Sequence, residues 1–173
     1  MSNRSVVIRR ARRTVLSVVA VAAAGVLAAT SGVAAQAVPD DQRVQADVVE
    51  TYTNEASGLR IEDTIAEGVR SSGRPLSNNQ RWNVHEWNDG TVQLKNVATG
   101  RCLSHMGDLT WATGTTCFAG SDPRSVQQSW FVTHWADGTI RFRNQNSNQC
   151  LDGFSFGEIS MEPCNTSESQ SWY

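Results

Sequence analysis

The triplet Gln-x-Trp occurs three times in this 173-residue chain, as Gln80-Arg81-Trp82, Gln128-Ser129-Trp130 and Gln170-Ser171-Trp172, at spacings of 48 and 42 residues. A signature returning every forty-odd residues means that one supersecondary unit is used three times. More than the triplet repeats. Trp87-Asn88-Asp89-Gly90-Thr91-Val92 matches Trp135-Ala136-Asp137-Gly138-Thr139-Ile140, and Asn96-Val97-Ala98-Thr99-Gly100-Arg101-Cys102-Leu103 matches Asn144-Gln145-Asn146-Ser147-Asn148-Gln149-Cys150-Leu151. Asn54-Glu55-Ala56-Ser57-Gly58-Leu59-Arg60-Ile61 fills the same slot in the first copy.

The repeats are built of strands. Asp89-Gly90 and Asp137-Gly138 are two-residue turn signals between short runs with apolar alternation, Val92/Leu94 and Ile140/Phe142. Such a dipeptide between alternating runs is a strong hairpin cue. It predicts arms at Val84–Trp87 and Thr91–Leu94, and again at Val132–Trp135 and Thr139–Phe142. Copy one has no Asp-Gly, and its hairpin is expected near Val44–Thr53. No long helical period is present, so the class is all-β. Trp82, Trp130 and Trp172 are expected to be structural. Each buries a large apolar area, and its Gln bridges strands through otherwise unpaired backbone groups.

The first 37 residues read as a targeting segment. Arg9, Arg10, Arg12 and Arg13 precede an apolar stretch from Val15 to Leu27, and Ala35-Gln36-Ala37 fits a cleavage site. A secretory signal peptide over 1–37 is expected. Arg12-Arg13-Thr14-Val15-Leu16 also fits twin-arginine export. Residues 38–48 then form an N-terminal arm, and 49–173 a single domain. Removing the segment leaves ten basic and seventeen acidic residues, a net charge of −7. Nucleic-acid binding needs a basic stripe, which is lacking. The acidity also disfavours an anionic membrane, and the apolar stretch is short for a span.

Export permits disulfides. The four cysteines allow three pairings. Within copies two and three the separations are 15 and 14 residues at equivalent places, which favours Cys102–Cys117 and Cys150–Cys164. Arg60 and Arg74 occupy both matching places in copy one. A zinc site is the rival for the cysteines. It lacks any Cys-x-x-Cys, and the histidines have no ligand spacing, so no metal or cofactor is expected.

The three Gln-x-Trp triplets, the pairs Cys102-Leu103 and Cys150-Leu151, the second cysteines Cys117 and Cys164 and the Asn-x-x-(Ser/Thr)-(Gly/Asn) lead-ins resemble the ricin-B-type β-trefoil lectins, especially secreted actinobacterial ones. The resemblance covers about 49–173. It implies a pseudo-three-fold β-trefoil of twelve short strands, six in a barrel and six in capping hairpins, with one shallow sugar pocket per repeat. The usual pocket has an acid just after Cys-Leu, an aromatic residue about two before the second cysteine, and a polar residue before the Gln of Gln-x-Trp. Hydroxyls at a sugar's rim and C–H groups on its face suit a carboxylate and an aromatic plate.

Transferred residue by residue, no copy has all three parts. Copy three keeps Asp152, with Glu162 in the aromatic place and Ser169 before Gln170. Its expected lining is Asp152, Phe154, Phe156 and Gln170, the two phenylalanines standing in for the plate. Copy one offers Glu62, Asp63, Asn79 and Gln80, with Ser72 in the aromatic place. Copy two has Ser104, Thr115 and Gln127 and reads as vestigial.

Catalysis is not expected. A covalent nucleophile needs a base in reach and an orienting group. No nucleophile elbow or zinc-protease helix motif is present, His85 and His134 fall out of register between repeats, and His105 stands alone. Glu62 and Asp63 are chain neighbours rather than a facing glycosidase pair. The expected function is secreted, non-catalytic binding of a glycan or polysaccharide, galactose-like or xylan-like. The alternative is a protein-interaction or inhibitory trefoil acting through the loop Asp108–Arg124.

Overall fold

The computed structural model describes residues 47–153, 157 and 159–173. The expected signal peptide, most of the expected arm and the phenylalanines Phe154 and Phe156 lie outside the described residues. Eleven strands are described: β1 Val48–Glu50, β2 Arg60–Thr64, β3 Gly68–Ser72, β4 Trp82–Glu86, β5 Val92–Asn96, β6 Cys102–Ser104, β7 Thr113–Thr115, β8 Trp130–His134, β9 Ile140–Asn144, β10 Cys150–Asp152 and β11 Ser160–Glu162. Short 3-10 turns at 78–80, 123–127 and 168–170 lead into or overlap each Gln-x-Trp. No helix among the described residues is long and apolar enough to cross a membrane.

All strand pairs are antiparallel, and they repeat. The hairpins β4–β5 and β8–β9 form the walls, with Val84 opposite Leu94 and Val132 opposite Phe142. The hairpins β2–β3, β6–β7 and β10–β11 form the cap. Neighbouring copies meet at equivalent points, Glu50 to Trp82, Val92 to Trp130 and Ile140 to Trp172, and the first junction continues along β1 to Val48 opposite Val84. This arrangement is a β-trefoil.

Two local expectations are corrected. The Asp-Gly hairpins close with three-residue loops. Gly90 N donates to Trp87 O at 3.0 Å, and Trp87 N to Thr91 O at 2.8 Å. Gly90 and Gly138 adopt positive φ, the signature of a type I turn followed by a left-handed glycine. Each strand stops one residue short of the predicted arm at the loop and runs two residues past it at the far end. The copy-one hairpin expected near Val44–Thr53 is not seen among the described residues, which begin at 47. β1 pairs with β4, and Thr53 exchanges backbone hydrogen bonds with Tyr173 at 2.7 and 2.9 Å. The partner that a hairpin would supply comes instead from the far end of the sequence.

The core explains the signature. Trp82, Trp130 and Trp172 are fully buried beside Ile61, Leu103 and Leu151, and each indole N–H donates to the backbone oxygen of that partner, at 3.2, 3.1 and 3.2 Å. Tyr52 and Phe142, at equivalent register positions, meet edge to face at 4.9 Å. Burial, then the nearby Glu50 charge, push the Tyr52 phenol well above its usual pKa. The disulfides are Cys102–Cys117 and Cys150–Cys164, as the repeat predicts.

Candidate functional site: the turns after the Cys-Leu strands

Three buried asparagines organise the ground beneath the pockets. Asn96 and Asn144 end β5 and β9, Asn54 holds the equivalent place in copy one, and their side-chain oxygens accept backbone N–H groups two or three residues on. Their amides donate to Ser169 O, Asn79 O and Gln127 O at 2.8, 2.7 and 3.0 Å. Each lead-in turn is thereby tied to the residue preceding a Gln-x-Trp, the third part of the family's pocket.

The Gln of each triplet is spent inside the fold. Gln80 Nε2 donates to Glu62 Oε2 and Arg74 O, and its oxygen accepts from Ser77 N. Gln170 Nε2 donates to Pro163 O at 3.1 Å and its oxygen accepts from Asn165 N at 2.9 Å. Both side chains are buried. Their hydrogen-bonding groups serve the strand bridging inferred from sequence, and neither faces an open pocket.

Copy one brings its predicted residues together, but as a closed ionic cluster. Glu62 is buried and accepts from Arg74 Nη1 at 2.6 Å. Arg74 also reaches Glu67 Oε2 at 2.7 Å. Arg74, then Arg70, hold the Glu67 carboxyl below its ordinary pKa. Asp63, 0% exposed, is clasped by Arg101 from copy two, with Nε at 3.0 Å from Oδ2 and Nη2 on Oδ1. Thr99 Oγ1 donates to the same carboxylate. Asn79 is turned to Asp63 O at 2.7 Å. The arginine standing where a cysteine would be thus replaces a covalent tie by an ion pair and occupies the acid that a sugar would need.

Copy three differs. Asp152 closes β10, is 9% exposed, and accepts from Ser169 Oγ at 2.8 Å. Ser169 Oγ also lies 2.6 Å from Ser167 Oγ. Among the described residues no arginine or lysine pairs with Asp152. The position equivalent to Arg74 is Cys164, already in a disulfide. The following Gly153 is required by packing, since a Cβ there would stand 2.4 Å from Trp172 Cη2. The Asp152 carboxylate thus meets a single serine hydroxyl among the described residues. Phe154 and Phe156 lie outside the described residues.

Copy two presents no acid. Ser104 Oγ and Gln127 Oε1 are buried with no hydrogen-bond partner among the described residues. His105, absent from the predicted site, is fully buried. Its Nε2 donates to Leu109 O at 2.7 Å, and Nδ1 meets Ser147 Oγ at 2.7 Å. Asp63, His105 and Gly153 share one register position, and their partners Thr99, Ser147 and Ser57 share another. Ser57 Oγ donates to Gly153 O at 2.8 Å. One inter-repeat latch is built with three chemistries. The hydroxyl half was visible in the Asn-x-x-(Ser/Thr) lead-ins, but its partner was not.

Residues 78–158 match the family model of the ricin-type beta-trefoil lectin domain-like proteins. No curated protein sequence matches the chain. Among solved structures, the designed three-fold symmetric protein ThreeFoil superposes with a TM-score of 0.62 at 19% identity, covering 72% of this chain and 95% of that one. The Macrolepiota procera ricin B-like lectin in complex with lactose gives 0.59 at 17% identity, covering 75% and 96%. A mosquitocidal holotoxin gives 0.63 at 21% identity, covering 73% of this chain and 17% of that chain. At these identities the likenesses speak to the fold. Together with the three-fold architecture they make the chain a β-trefoil, and its residues 78–158 are similar to the ricin-type lectin-like domain.

Proposed function

We propose that this is a secreted, non-catalytic carbohydrate-binding protein with one working pocket of the family type, in copy three. The carrying observation is the contrast between the copy-one acids, of which Glu62 holds the matching place, and Asp152. Glu62 and Asp63 are captured by Arg74 and Arg101, whereas Asp152 meets only a serine hydroxyl among the described residues. A carboxylate with spare acceptor capacity, beside a hydroxyl able to donate or accept, suits sugar hydroxyls. The lactose complex of the Macrolepiota lectin supports a galactose-like ligand, and xylan-like chains are the second class to test. Calorimetric titration of the oxidised domain with galactose, lactose and soluble xylan is the test. Weak binding abolished by Asp152→Ala supports the reading, and equal binding by that variant contradicts it.

A second reading has its own observation. Met106 and Trp111, before and within the long copy-two loop, are 43% and 37% exposed. Large apolar side chains on a loop suit a protein partner, as an interaction or inhibitory trefoil would use. Under this reading Trp111→Ser removes partner capture while Asp152→Ala leaves it unchanged.

A further inference from the structure

A second recessed surface lies on the outer wall of copy two, away from the family's pockets. Asn83, His85 and Trp87 alternate along β4 and its extension, and Gln93 and Lys95 along β5. Asn83 faces Lys95 across the strands, and His85 faces Gln93. Together with Asp47 and the segment Cys117-Phe118-Ala119 they line a cavity of about 360 Å³. That volume falls in the range of small-molecule sites.

The walls are held before any ligand arrives. Cys117 is anchored to Cys102. Gln93 Nε2 donates to Phe118 O and to Gln128 Oε1, both at 3.0 Å, and Gln128 Oε1 accepts from Phe118 N at 2.8 Å. His85 meets Trp87 edge to face at 4.4 Å and pairs with Asp47 Oδ1 at 3.0 Å. Gly120 sits so close to the Trp87 ring that a Cβ would stand 2.9 Å from Cζ3.

The repeat supplies an internal control. In copy three the residues matching Asn83, Trp87, Gln93 and Lys95 are Phe131, Trp135, Arg141 and Arg143. There Arg141 lies over Trp135 at 5.1 Å and Arg143 over Phe131 at 4.4 Å, so the face is filled by its own guanidinium groups. Copy two has lost both stacks. Its Lys95 is exposed and makes no ion pair among the described residues. Its Trp87 indole N–H is buried without an acceptor among the described residues, whereas the three Gln-x-Trp indoles each have one. A buried donor without an acceptor calls for an explanation.

From these features we infer that the copy-two wall binds a hexuronate, a sugar ring carrying one carboxylate. The ring's C–H face suits Trp87, its carboxylate suits Lys95, and its hydroxyls suit Asn83. Asp47 also lines the cavity, and its carboxylate is turned to His85, which limits its repulsion of the ligand's charge. The inference does not depend on Asp152.

The test is a ¹⁵N NMR titration of the oxidised chain with sodium galacturonate, sodium glucuronate and a short oligogalacturonate, with galactose as the neutral control. The expected result is shift changes at the Trp87 indole N–H, Asn83, Lys95 and Phe118 with the uronates. Lys95→Gln should weaken them about fivefold, as an exposed ion pair permits, and Asp152→Ala should leave them unchanged. No change at these residues with any uronate overturns the inference. So does a response to galactose of equal strength that Lys95→Gln does not alter. Loss of galactose binding in Asp152→Ala with uronate shifts retained separates this site from the copy-three pocket.

Discussion

The hydroxyl of Ser169 donates to Asp152 Oδ2 at 2.8 Å, joining the end of β10 to the residue just before the third Gln-x-Trp. At the matching place in copy one, Asn79 donates to the backbone oxygen of Asp63 instead, and Glu62, the counterpart of Asp152, is held by Arg74. The two repeats share a frame and differ in what the frame leaves available. Asp63 is taken up by Arg101 and Thr99, whereas the Asp152 carboxylate meets one serine hydroxyl among the described residues.

Exchanging each acid for its amide should separate these roles. Asp63→Asn leaves the Arg101 guanidinium facing a neutral group. Loss of one member of a buried pair costs several kcal/mol, and the partial exposure of Arg101 reduces this to about 2 kcal/mol. Asp152→Asn keeps an acceptor for Ser169 and should change stability by less than about 1 kcal/mol. Urea unfolding read by Trp fluorescence checks both. Sugar binding should follow the opposite order.

Gly153 sets the approach of Trp172 to the copy-three turn. Gly153→Ala places a methyl group against the ring and should cost about 1–3 kcal/mol through overpacking. It should also weaken sugar binding, because the displaced turn carries Asp152. Gly90→Ala is a control that meets no atom but is strained by positive φ. It should lower stability by roughly 1 kcal/mol and leave the copy-three pocket intact. Thermal unfolding and titration of the two variants make the comparison.

Three turn aspartates set the acid limb. Hydrogen bonds from the Thr91 side chain and backbone hold Asp89 below the ordinary aspartate pKa, and those from the Thr139 backbone and side chain do the same for Asp137. Arg124 lowers Asp122 to about 2. Because folding depresses these values, the stabilisation is present in full above the unfolded aspartate pKa of about 3.8 and is lost as pH falls toward the folded values. Melting temperature should therefore fall below about pH 4. Asp89→Asn and Asp137→Asn should each flatten that fall, and an unchanged acid limb in the double variant contradicts the assignment.

The disulfides close the cap hairpins of copies two and three, and copy one relies on Arg74, Glu62 and Glu67 instead. Replacing either cysteine pair by serines should cost about 3 kcal/mol in the chain-entropy picture. Raising salt should weaken the exposed Arg74–Glu67 pair in copy one and leave the other two ties untouched. Hydrogen exchange resolved by residue reads this as faster opening of β2–β3 than of β6–β7 or β10–β11 at high salt.

The frame was legible in the sequence because repetition reports a shared structural duty. The tryptophans, the asparagine lead-ins, the cysteine pairs and the hairpin positions each occur at fixed offsets, and each proved to be one local interaction used two or three times. The pockets were less legible because availability is a tertiary property. Glu62, Asp63, Asn79 and Gln80 are where an alignment places them. Yet Asp63 is closed by Arg101, 38 residues on and in the next copy, a pairing that no local pattern announces. The partner of Thr53 was hidden for a similar reason. The pairing of Thr53 with Tyr173 spans nearly the whole domain.

NMR shift mapping of the oxidised domain against galactose, lactose and soluble xylan tests the central claim most directly. The account predicts changes confined to Asp152, Gly153, Ser169 and residues 154–158, with Glu62, Asp63 and Asn79 silent. Changes centred on copy one, or no response to any sugar by a fully folded and oxidised domain, would contradict it.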